Sequence, residues 1–264
     1  MKHSKNSHGF TLIELSMVLV IIALLSGGIF MAQSLIRQAQ LRGIAMEYDR
    51  TKKAIEEFRD KYMGLPGDIT NAESIWGSDA GCPGTSSNTS RKQLTCNGDG
   101  SGTIGSSSQT GQLSNQTEWF RAWQQLANAG LIQGTYTGAP GAGGTSESII
   151  GINVPASQLA GAGWTLNYTL FNTDGMMWSD NYGHVLNFGS YTSGDFTRGP
   201  AMSPEEALSF DTKIDDGYPG LGSVRAWRSS MMPNCTTNDN SQQGAAYDGT
   251  YKDRACALVF ILGY

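Results

Sequence analysis

The chain has 264 residues, a formal net charge of -5 and a hydrophobic share of 39%. That length fits one large domain or two small ones, at roughly 100–200 residues each. The acidic balance argues against nucleic acid as the main partner, because phosphate recognition needs a basic face, and no RNA-binding or helix-turn-helix pattern offsets it.

The first element is the run HGFTLIELSMVLVIIALLSGGIF, from His8 to Phe30. Between Phe10 and Met31 the only charged side chain is Glu14. As a helix this span measures roughly 33 Å at about 1.5 Å per residue, close to a hydrocarbon core of about 30 Å. Lys2 and Lys5, with His3 and His8, precede it, and a basic flank stays cytoplasmic, so the chain beyond Met31 is expected outside. The apolar stretch is too long for a cleavable secretory signal. A plain anchor explains its length but not Glu14, since a carboxylate in hydrocarbon costs about 2.5–3.5 kcal/mol on insertion scales.

The motif GFTLIEL after a short basic leader resembles the processing site of type IV prepilins and type II secretion pseudopilins. The resemblance covers the leader and the first helix. It implies that a membrane peptidase cuts after Gly9 and methylates the new N-terminus at Phe10, with Glu14 as the family's acidic residue of the mature chain. Cleavage creates an ammonium at Phe10. A neighbouring subunit displaced along a fibre then brings its ammonium against Glu14, and two opposite buried charges offset one another where either alone is penalised. Glu14 thus becomes a register mark for assembly. The implied partners are the prepilin peptidase/N-methyltransferase, other pilin or pseudopilin subunits and inner-membrane lipid.

Beyond the apolar stretch, Leu41, Ile44, Tyr48, Ile55, Phe58 and Tyr62 form one stripe at three- and four-residue spacing. Glu56, Glu57, Arg59, Asp60 and Lys61 face mainly water, and GLPGD ends the helix at Pro66 and Gly67. Gly27 and Gly28 mark either loose packing in lipid or a place where the helix bends on entering a fibre. The expected division is a leader over 1–9, a membrane or fibre-core helix over 10–32, an amphipathic half over 33–64 and an extracytoplasmic head over 65–264.

Within the head, NGDGSGTIG supports a calcium reading. Asn97, Asp99, Ser101 and Thr103 fall at the alternating positions of a calcium loop, with Gly102 at the sharp turn. Ser108 stands where the bidentate Glu belongs, leaving Glu118 or another distant acid to complete the shell; a simple turn of Gly, Asn and Asp is the other reading. TEWFRAWQQLANAGLI predicts a helix with Trp119, Trp123 and Leu126 on one face and Gly130 at its end. Ser203, Pro204 and Glu206 predict a capping box with Pro in the first turn. SIIGINV, WTLNYTLF, HVLNF, SVRAW and CALVFIL predict strands. Asp211, Asp215 and Asp216 read as a helix end with a turn at Gly217, or as a second metal site.

Four cysteines allow three pairings, and an extracytoplasmic address favours disulfides. Nearness in sequence suggests Cys82–Cys96 and Cys235–Cys256, the second closing a C-terminal loop as in many pilins. His184 lies alone in a strand, where a structural role is expected, and no nucleophile elbow, phosphate loop or zinc pair is present.

The expected fold is α+β and pilin-like: a long N-terminal helix packed on an antiparallel-sheet head with extra helices and long loops. The expected function is a structural, non-enzymatic subunit of a type IV pilus or type II secretion pseudopilus. The mature chain is large beside the family's usual major pilin, which favours a minor subunit. The alternatives are a pilus-borne adhesin, whose exposed Trp or Tyr residues meet a ligand, and an anchored protein that never polymerises.

Overall fold

The computed structural model describes residues 10–79, 82, 93–105, 114–169, 175–237 and 241–264. The chain divides into two compact units, Met1–Leu41 and Arg42–Tyr264. Helix α1, Leu12–Tyr62, begins in the first and ends in the second. In the first unit, α1 runs through Gly27 and Gly28 without a break, and a side chain at either would meet nothing. Leu12, Leu24 and Met31 stand 89%, 72% and 74% exposed. A row of bare apolar side chains this long has no place in water, and α1 is long and apolar enough to cross a membrane.

The second unit contains α2 (Ala72–Trp76), α3 (Ser114–Asn128), β1 (Ala162–Thr169), β2 (Gly183–Ser190), α4 (Pro204–Ile214), β3 (Val224–Ala226) and β4 (Leu258–Ile261). The strands form one antiparallel sheet in the order β1-β2-β4-β3. Side chains alternate across a strand, and the pairing aligns Trp164 with Phe188, Leu166 with Leu186, and Leu186 with Phe260. These residues make one apolar face. Trp164 lies 5.2 Å and Tyr48 of α1 lies 4.9 Å from the Phe260 ring. The opposite face is polar but paired: Asn187 donates to Asn167 at 2.7 Å, and Thr165 meets Thr197 at 3.2 Å.

The helical stripe packs as its spacing predicts. Ile44, Ile55 and Phe58 are fully buried, each burial being worth about 1.5–3 kcal/mol, while Glu57, Arg59, Asp60 and Lys61 are exposed. The helix stops before the proline. Met63 turns to a left-handed φ of 57°, and its N–H returns to the Arg59 carbonyl at 2.8 Å. Gly67, at φ 86°, lets the chain approach α3: a Cβ there would stand 3.0 Å from the Ala122 nitrogen.

Helix α3 buries Phe120, Trp123 and Leu126 completely, and Gly130 ends it at φ 75°. Helix α4 carries the predicted capping box, with the Ser203 N–H donating to Glu206 at 2.9 Å and the Glu206 N–H to Ser203 Oγ at 3.2 Å. SIIGINV is a turn, not a strand. Gly151 adopts φ 80°, and the Asn153 carboxamide accepts the Ile149 N–H at 2.6 Å while donating to the Glu147 carbonyl at 2.9 Å. A side-chain amide has taken the bonds a ladder would have made.

Disulfides join Cys82 to Cys96 and Cys235 to Cys256, with Cα separations of 5.2 and 5.0 Å. The second ties the segment before β4 to the loop after β3. Replacing Cys235 and Cys256 together with Ser is expected to cost about 2–4 kcal/mol, read as a lower urea midpoint with an unchanged α-helical signal.

Candidate functional site

At the start of α1, the Glu14 carboxylate accepts the Thr11 N–H and the Thr11 hydroxyl, both at 2.8 Å. The Glu14 N–H donates back to Thr11 Oγ1 at 3.3 Å. This is a capping box: two backbone donors left over at the helix start are satisfied reciprocally. The carboxylate also sits at the positive end of the helix dipole. Thr-x-x-Glu is visible in the sequence as a cap signal, and it passes unnoticed inside an apolar run. Phe10 is 88% exposed, and Gly9 lies outside the described residues.

The loop from Asn97 to Gly105 is held in a different way from the one its spacing predicts. Asn97 is turned toward α2, where it exchanges hydrogen bonds with Glu73 at 2.9 and 3.1 Å. Ser101 and Thr103 bond mainly to each other, their hydroxyls 3.0 Å apart. Asp99 instead meets Asp68 and Glu118, with one carboxylate oxygen from each lying within 4.8 Å of the others. Asp68 accepts the N–H groups of Ser101 and Gly102 at 2.9 and 3.0 Å. Glu118 accepts those of Asp99 and Gly105 at 3.0 and 2.8 Å. These three acids are the ones that could hold a cation here, and as they stand they anchor the loop through its amides. Ser108 lies outside the described residues.

Burial pushes the Glu118 carboxyl up to about 8, against the pull of the Gly105 and Asp99 N–H groups and helped by the charges of Asp99 and Asp68. Burial also raises Asp68. Asp68 escapes sequence reading because GLPGD looks like a helix terminator and stands far from Asp99 along the chain.

The acids at the end of α4 also come together, with one oxygen each of Asp211, Asp215 and Asp216 within 4.8 Å of the others, and all three hold local hydrogen bonds. Asp211 accepts the Tyr247 hydroxyl at 2.8 Å, Asp215 accepts the Val224 N–H at 2.9 Å, and Asp216 accepts the Tyr218 N–H at 2.8 Å.

Residues 4–30 match the family model for the prokaryotic N-terminal methylation motif. This segment carries the prepilin-type signature. No curated protein and no solved structure matches the chain. The signature belongs to structural subunits that a prepilin peptidase processes and that assemble with other pilins. It fits, with α1, a single-pass anchor in the inner membrane.

Behind this signature the helix–head junction is as specific as the N-terminus. Glu47 of α1 accepts three donors from the head: Ser157 Oγ at 2.6 Å, the Gln158 N–H at 2.7 Å and the Trp164 indole N–H at 2.8 Å. Gly43, one turn earlier, brings α1 close to Gln158, whose carboxamide oxygen would lie 2.7 Å from a Cβ there. Sequence reading passes over Glu47, because its donors lie more than a hundred residues away.

Proposed function

We propose that the chain is a minor pilin or pseudopilin, a structural subunit of a type IV pilus or type II secretion pseudopilus. It is cut after Gly9, methylated at Phe10 and held in the fibre through α1. The match of residues 4–30 to the methylation motif carries this reading. The exposed apolar length of α1 supports it, being suited to lipid before assembly and to neighbouring helices after it. In the free subunit the Glu14 carboxylate is satisfied by Thr11. In the fibre it exchanges that cap for the ammonium of a neighbour's Phe10, so that neither charge stays unpaired out of water.

The peptidase and sister subunits are the partners, and the head does no chemistry. An adhesin reading needs exposed Trp or Tyr clusters; Trp76, Trp123, Trp164, Trp178 and Trp227 are buried and Trp119 half-buried, which weakens it, while Tyr191 and Tyr218 are exposed. The test is fibre shearing: the chain is expected in the sheared fraction only where the prepilin peptidase is active. Its confinement to membranes in peptidase-positive cells that make fibres would overturn the proposal.

A further inference from the structure

His184 of β2 is 3% exposed, and its ring bridges two segments that are otherwise separate. Nε2 faces the Ile104 N–H at 3.2 Å, and Nδ1 faces the Tyr264 carbonyl at 2.8 Å. The partners settle the tautomer. A backbone N–H only donates, so Nε2 carries the lone pair; a carbonyl only accepts, so Nδ1 carries the hydrogen.

Ile104 is fully buried at the end of the 97–105 loop. Its carbonyl accepts the Trp119 indole N–H at 3.2 Å and the Tyr168 N–H at 3.1 Å. Tyr168 is the residue paired with His184 across β1 and β2. Ile104 therefore pins the loop to the sheet, and the imidazole lone pair is one of the pins.

We propose that His184 is an acid-released latch: protonation of Nε2 sets N–H against N–H, frees Ile104 and lets the 97–105 loop leave the sheet. Gly100 and Gly102 of that loop, with Asp68 and His184, line a cavity of ≈ 620 Å³. Release opens one wall of that cavity.

Around the imidazole, the main-chain oxygen of Tyr264, the last of the 264 residues, accepts from Nδ1 and favours the protonated ring, while burial opposes it. On α1, Arg59 stacks over the Tyr264 ring at 5.2 Å and adds positive charge, and Tyr62 lines the same cavity. The Tyr168 and Tyr264 rings lie 4.8 and 5.6 Å from the imidazole. Asp68, in the turn after α1, spends its carboxylate on Ser101 and Gly102. Glu118 of α3 spends its own on Asp99 and Gly105, and Asp99 holds Ser101.

Burial lowers the pKa of His184 from its ordinary 6.5, opposed by the Tyr264 hydrogen bond. Its contribution to stability is thus full at neutral pH and is lost as pH falls below 6.5 toward the folded value. Glu118, raised from 4.5 to about 8, contributes with the opposite slope where the two ranges overlap below pH 6.5. Whole-protein melting blends the two, so the test must be local.

The experiment is hydrogen exchange by mass spectrometry on the full chain in detergent with EDTA, comparing wild type with His184→Gln at pH 7 and pH 5. Gln can accept from Ile104 and donate to Tyr264, but it does not titrate. Residues 97–105 are expected to be equally protected in both proteins at pH 7. At pH 5 the wild type is expected to lose protection that the variant keeps, because the linkage acts below pH 6.5. Equal protection at both pH values overturns the proposal. Should the variant fail to fold, nitrogen-15 histidine spectra of the wild type decide. The latch requires the Nδ1–H tautomer at pH 7 and loss of Ile104 protection as the ring titrates; an Nε2–H tautomer, or titration with the loop unmoved, overturns it.

Discussion

Glu47→Ala is expected to lower the stability of the head by about 3 kcal/mol, the scale of losing charge-assisted hydrogen bonds and leaving a buried donor unpaired. Three donors converge on one carboxylate, and the Trp164 indole among them is only 2% exposed. With Ala in place the Trp164 N–H loses its acceptor, and only water from the ≈ 840 Å³ cavity that Glu47 and Trp164 line can replace it. At about 2–4 °C per kcal/mol for a chain of this size, the melting temperature falls by roughly 6–12 °C. Glu47→Gln keeps one acceptor oxygen and should lie between the two. A Glu47→Ala midpoint within about 2 °C of the wild type, where one kcal/mol is the least change resolved, would show that apolar packing alone docks the helix.

The second large effect concerns assembly. Glu14→Ala is expected to abolish entry into the fibre while leaving insertion intact or improved, because removing a carboxylate from hydrocarbon relieves about 2.5–3.5 kcal/mol on insertion scales. The capping box complicates a simple reading, since Ala removes both the charge and the cap on Thr11. Glu14→Gln separates them. Glutamine at the third helical position still completes a capping box but brings no charge to a neighbour's ammonium. If charge pairing sets the register, Glu14→Gln fails in the sheared fraction as Glu14→Ala does. If the cap is what matters, the Gln variant assembles normally.

The parts of the fold legible in the sequence are those whose causes are local. The stripe Ile44, Ile55 and Phe58 announces a helix face, and Ser203 with Glu206 announces a helix start, because each signal lies within a turn or two of the residues it governs. SIIGINV shows the limit of that logic. Its β-branched residues favour a strand, yet the Asn153 side chain and the positive φ of Gly151 close a turn instead. The sheet order β1-β2-β4-β3 is set by contacts distant along the chain, as are the approach of Asp68 to Asp99 and the grip of the head on Glu47. Glu118 was within reach as an acid lacking a job. Asp68 was not, because its turn offers a complete local reason for being there.

The central claim is that the N-terminus is processed at Gly9 and enters a fibre as a methylated helix. Intact-mass and N-terminal peptide mass spectrometry of the protein from peptidase-positive cells tests it most directly. The prediction is a chain beginning at N-methylated Phe10. A chain that still begins at Met1 in those cells would contradict the claim and leave an ordinary tethered protein.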